Sequence, residues 1–158
     1  MKKVFDKGKL LAVFFIAVFA AAIFLIVFML KMSDELRKFK VDMFVLCNEA
    51  DICVGNGHDG KYRISEDNLK ALNSIMSSTR GKFTLQNPET IDTISFEFKH
   101  EGNKWILNIS DVGDNRLRVD LTGQRKYKIF ISNNKKYDEF VRVVSEKGYI
   151  SPNKKFGN

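Results

Sequence analysis

Between Lys9 and Lys31 the sequence reads LLAVFFIAVFAAAIFLIVFML, 21 residues without a polar side chain. At the helical rise this run spans roughly 30 Å, the thickness of a bilayer's hydrocarbon core. A helix apolar on every face needs apolar surroundings on every side, which a domain of this size cannot supply. A cleavable signal peptide is the main rival, because Ala20, Ala21 and Ala22 offer the small residues such cleavage uses. Yet IFLIVFML follows them, and the uncut run exceeds the usual apolar region of about 7–15 residues. The expectation is an uncleaved signal-anchor, a single transmembrane helix over residues 10–30.

The head, residues 1–9, carries Lys2, Lys3, Lys7 and Lys9 against Asp6. Lys31, Arg37, Lys38 and Lys40 follow the span, so the bias lies in density and not in count. Basic flanks stay inside, and a head too short to fold favours export of the remainder. The expected topology is single-pass in the inner membrane, N-terminus cytoplasmic, with the C-terminal domain periplasmic or extracellular. Removing the head's four lysines and one aspartate from the chain's 26 basic and 19 acidic residues leaves 22 and 18. That is an ordinary mixed surface without the basic stripe of a nucleic-acid binder, and no direct nucleic-acid contact is expected.

Past the span, Leu36, Phe39, Met43 and Leu46 recur at helical spacing, which predicts an amphipathic stalk helix over 31–47. An α+β domain is expected over 48–150 and a loose tail over 151–158. VGNGHDGKY breaks the helical pattern and reads as a loop. Ser65 is placed to cap a helix carrying Leu69, Leu72, Ile75 and Met76 on one face. TISFEFKH, KWILNIS, RLRVDL and KYKIFIS alternate apolar and polar residues and are separated by the turns EGN, DVGDN and TGQ. They predict a four-stranded antiparallel meander. A final helix, about 135–146, completes a two-layer order of helix, meander, helix.

The stretch CNEADICVGNGHDG holds the only cysteines, Cys47 and Cys53. In an exported domain a pair of cysteines becomes a disulfide. This one is a local staple contributing about 2 kcal/mol on a chain-entropy model. Six residues apart, they do not meet on a continuous helix, so a bend between Asn48 and Ile52 is required. Zinc would need about four ligands, with only His58 and nearby carboxylates to complete the set. The glycine loop lacks the Lys-Ser/Thr of a phosphate-binding loop. Read as a calcium loop, it places its first and third ligand positions on Gly55 and Gly57, which carry no carboxylate.

His58 reads as a solvated loop residue and His100 as an exposed turn residue; they are the only groups whose unperturbed range suits pH sensing. No set of nucleophile, base and orienting group emerges, and neither an enzyme nor a cofactor is expected. What remains is interaction. Leu36, Phe39 and Met43 on the stalk, with Phe44 beside them, and the small residues Ala17 and Ala21 four apart in the span, are the candidate partner-binding positions. They suit a membrane-protein partner or a second copy of the chain in a homo-oligomer.

A short basic head, one anchor carried by LLAVFFIAVFAAAIFLIVFML, a cysteine pair and a small α+β exported domain together resemble a family of bacterial membrane proteins. These are the accessory proteins of ToxR-like transmembrane transcription activators, the ToxS, PsaF and MyfF type. The resemblance covers size and order of parts and carries over no site residues. It implies an exported domain that binds and tunes the activator, controlling adhesion or virulence genes. Two other classes fit the same plan: a membrane-anchored immunity or exclusion protein, and a subunit of an envelope secretion complex.

Overall fold

No glycine or proline occurs between Lys9 and Glu49, so nothing in that stretch interrupts a helical ladder. In a computed structural model of the chain, which describes residues 7–145 apart from 59, 83, 85, 86 and 134, a single helix α1 runs over Lys7–Glu49. It is followed by β1 (Ile52–Gly57), β2 (Gly60–Arg63), α2 (Glu66–Ser77), β3 (Asp92–His100), β4 (Asn103–Asp111), β5 (Arg116–Thr122), β6 (Lys126–Ser132) and α3 (Lys136–Val144). The expected head falls mostly, and the expected tail wholly, outside the described residues, as does the predicted end of the last helix at Glu146.

The chain divides into two compact units, Met1–Asp34 and Glu35–Asn158. In the first, helical from Lys7, the large apolar side chains from Leu10 to Leu30 other than half-buried Phe28 stand exposed around the helix, Ile16 and Phe19 by about 70%. This is the one helix among the described residues long and apolar enough to cross a membrane.

The second unit is built on an antiparallel sheet in the order β2-β1-β3-β4-β5-β6. It has six strands where the alternation pattern predicts four. The meander β3 to β6 lies as expected, and β6 coincides with KYKIFIS. One face carries Ile94, Phe96 and Phe98, then Trp105, Leu107 and Ile109, then Leu117, Val119 and Leu121, all buried. The helices complete that core with Phe39, Met43 and Leu46 from α1, Leu72 and Met76 from α2, and Phe140 and Val144 from α3. The other face is mostly polar, with Glu97, Lys104, Asp120 and Lys128. The unit is a two-layer α+β structure.

The two additional strands, β1 and β2, occupy the segment read as a glycine loop. Glycine is depleted in strands, and its presence here has a packing cause. A Cβ on Gly55 would lie 2.6 Å from Ile64 Cδ1 and 2.7 Å from Val144 Cγ1, so side chains press directly onto the β1 backbone. At the β3–β4 turn, Glu101 and Gly102 both take positive φ, the pattern that matches hairpin twist. The outer edge of β6 is covered where Lys82 N–H donates to Phe130 O and Ser132 N–H to Arg80 O. Ser65 caps α2 as predicted, accepting from Asn68 N–H.

The helix predicted over 31–47 forms the C-terminal part of α1. From Glu35 onward α1 belongs to the domain unit, and Phe39 and Met43 are 0% exposed. Their 3–4 spacing places them on one stripe, and the sheet's apolar face takes that stripe. Fully burying each contributes about 1.5–3 kcal/mol.

Candidate interaction surface

Because one stripe of α1 faces the sheet, residues about half a turn away face outward. Val41 and Phe44, three apart and so neighbours on the helix surface, are 58% and 56% exposed. Beside them, half-buried Val45 leads into a cleft of about 140 Å³. Its walls are Asp42 and Val45 from α1, His100 from the end of β3, Trp105 from β4, and Gln124 and Arg125 from the β5–β6 turn.

Two charges of this cleft, Asp42 and Arg125, pair with each other. Tyr127 Oη donates to Asp42 Oδ2 at 2.6 Å, and Arg125 Nη1 donates to Asp42 Oδ1 at 3.3 Å. The Asp42 side chain is 17% exposed against 64% for Arg125, so the carboxylate is held while the guanidinium reaches solvent. Burial, then the Asp42 hydrogen bond, pushes the Tyr127 phenol up from its ordinary value. Trp105 is pinned from behind by Gly123, where a Cβ would come within 2.2 Å of indole Cδ2. His100 Nδ1 lies 3.1 Å from Glu49 O; a carbonyl only accepts, so Nδ1 carries the proton.

On the opposite side of α1's inner stripe, Lys40 Nζ donates to Ser77 O and Thr79 O, both at 2.8 Å. These carbonyls close α2, and a cation there complements the helix dipole. Burial, then the nearby Lys136 charge, lowers the Lys40 pKa. Sequence reading did not single out Lys40, Asp42, Trp105 or Tyr127 as a set. The hydrogen-bond partners of Lys40 and Asp42 lie 37 to 85 residues away, and no local pattern signals such pairings.

The predicted positions separate in the structure. Leu36 packs against the core and Phe39 and Met43 lie inside it, so the apolar stripe offered to a partner is instead the domain's own contact with its sheet. Phe44 remains outward. Ala17 and Ala21 are exposed within the first unit. Cys47, near the end of α1, and Cys53, in β1, are buried in the same core cluster as free thiols. The required bend is present, with α1 ending at Glu49 and β1 beginning at Ile52. Burial pushes the Cys47 thiol up to about 12 and Cys53 further in the same direction, with Cys47's proximity adding to the latter. His58 is not an isolated loop residue, since its Nε2 lies 2.7 Å from Asp92 Oδ2. His58 and His100 lie at opposite ends of β3, His100 closing the strand and His58 pairing with its first residue.

Among the described residues no group of three or more His, Cys, Asp or Glu side chains is arranged to hold a metal ion. Comparison with protein-family models, with curated proteins and with solved structures gives no match.

Proposed function

We propose that this chain is a single-span inner-membrane accessory protein whose periplasmic domain binds and modulates a neighbouring membrane protein. The observation that carries this reading is the pairing, on α1, of an apolar segment exposed on all its faces with outward-facing Val41 and Phe44 on the domain's own core helix. Exposed apolar side chains taken singly are ordinary on a protein surface. Two adjacent ones on a helix whose inner stripe is already satisfied are suited to a second protein, and anchoring raises the effective concentration of that partner. The resemblance in plan to accessory proteins of ToxR-like activators supports a transmembrane transcription regulator of adhesion or virulence genes as the partner, with no nucleic-acid contact by this chain.

The test is photocrosslinking of the full-length protein in native membranes from a probe at position 44, with Lys70, an exposed position on α2, as control. The expected result is one discrete membrane-protein adduct from position 44 and none from 70, with loss of that partner's regulatory output when Val41 and Phe44 are both replaced by Ser. Full activity of a soluble 35–158 fragment in the absence of any partner sinks the reading. A toxin or a secretion-apparatus protein in the adduct moves the chain to the immunity or the secretion class.

A further inference from the structure

Five cations gather around the segment that follows α2. Lys40 Nζ and Lys136 Nζ meet consecutive residues there, Lys40 donating to Ser77 O and Thr79 O and Lys136 to Ser78 Oγ at 2.6 Å. Arg80 and Lys82 come next, in the stretch laid along the outer edge of β6, and Lys82 Nζ donates to Asn115 O at 3.4 Å. Lys135 precedes Lys136 at the start of α3. Elsewhere on the domain Lys70, Lys104, Arg116, Arg118 and Arg125 each hold a carboxylate. Among the described residues none of the gathered five does. Asp114, at the neighbouring β4–β5 turn, is taken by Arg116.

A second observation concerns residue choice. Lys135 is the N-cap of α3 at a φ of 64° and makes no side-chain cap bond. A left-handed backbone favours Gly, Asn or Asp, an N-cap calls for a short acceptor, and a cation at a helix start opposes the macrodipole. Asparagine meets all three demands without a charge, so nothing local calls for lysine. Lys135 and Arg80 are both exposed, and neither side chain makes a hydrogen bond or ion pair among the described residues. Their charges are directed at an anion outside the domain.

Chain length says which anion is at hand. The apolar run ends at Leu30, and covalent reach alone keeps Leu36 within about 20 Å of it. Leu36 in turn adjoins the cluster, since a Cβ on Gly81 would lie 3.2 Å from its Cδ2. Headgroups extend the bilayer beyond its hydrocarbon core, and an anionic surface attracts Lys and Arg over a screening length of about 8–10 Å. We propose that Lys40, Arg80, Lys82, Lys135 and Lys136 form a docking surface for the anionic headgroups of the membrane that holds the chain, an inference that rests on the apolar segment of α1 being a span. Docking restricts rotation of the domain about its tether. It thereby fixes the direction in which Val41 and Phe44 face and lowers the ordering cost of binding a neighbour.

The experiment places the full chain in nanodiscs of phosphatidylcholine alone or of phosphatidylcholine with phosphatidylglycerol, and follows acylation of each lysine by a water-soluble ester with mass spectrometry. Lys126, exposed at the opposite end of β6, is the internal control. The expected result is a severalfold slowing at Lys135 in the anionic discs with Lys126 unchanged. High salt should abolish that protection, and Arg80→Glu, at an exposed position, should weaken it. Equal rates at Lys135 in the two discs, equal slowing at Lys126, undiminished protection in Arg80→Glu, or protection by inorganic phosphate in phosphatidylcholine discs overturns the proposal and leaves the span reading intact. Failure of the chain to enter either disc overturns both. The lipid and salt arms use the unaltered chain and decide the matter even if the variant does not fold.

Discussion

Tyr127 and Asp42 are 85 residues apart in sequence and 2.6 Å apart in space, the phenol of β6 donating to a carboxylate of α1. With Phe39 and Tyr127 also in edge-to-face contact at 5.9 Å between ring centroids, this is where the long helix is locked to the last strand of the sheet. Tyr127→Phe keeps the ring contact and removes the bond. Hydrogen bonds to charged groups contribute about 1.5–3 kcal/mol, and a loss at the lower end of that range is expected because Arg125 still pairs with Asp42. Urea unfolding of the two proteins measures it, and equal midpoints would mean that water replaces the phenol at no cost.

Phe39 and Phe44 lie on the same helix and should behave oppositely. Phe39→Ala empties a fully buried site and should cost about 3–5 kcal/mol, lowering Tm sharply. Phe44→Ala, at an exposed position, should stay within about 0.5 kcal/mol of the parent while reducing the membrane-protein adduct. A Phe44→Ala protein that unfolds like Phe39→Ala would show that the outward assignment of this face is mistaken.

Because Cys47 and Cys53 are buried, their failure to react with an alkylating reagent in the folded protein is expected whether or not they are bridged. The discriminating measurement is alkylation in denaturant without reductant. An exported domain should remain unlabelled until reductant is added, whereas immediate labelling identifies free thiols. For the reduced protein the sign of the pH dependence follows from the raised pKa values. Folding favours the neutral thiols, so their contribution is fully present below the ordinary thiol value of 9.0 and is lost as pH rises from there towards about 12. Stability of the reduced protein should therefore fall above about pH 9, and oxidation to the disulfide should remove the part of that fall due to the thiols.

The expected orientation has its own test. Alkaline phosphatase, active only outside the cytoplasm, should be active when fused after Asn158. An inactive fusion together with an active cytoplasmic reporter at the same position would reverse the topology and remove the basis for expecting a disulfide.

The apolar run from Leu10 to Leu30 is legible from sequence because its character is local: every residue contributes the same term wherever the rest of the chain goes. The same holds for β3 to β6, whose two-residue alternation sorts side chains between faces, and for Ser65, whose cap involves a residue only three positions on. Tertiary structure decided the rest. The stripe of Leu36, Phe39 and Met43 announces a buried face but not what buries it, and the sheet took it in preference to a partner. The strand β1, on which β2 pairs, escaped notice because the backbone at Gly55 and Gly57 is pressed by Val144 of α3, with Ile64 also against Gly55, a steric demand that depends on α3 being in place. The facing of Asp92 with Asp111 likewise depends on strand register. Sequence patterns report what each segment needs in order to be buried, and packing between distant segments determines which of those needs are met within the domain and which are left to another molecule.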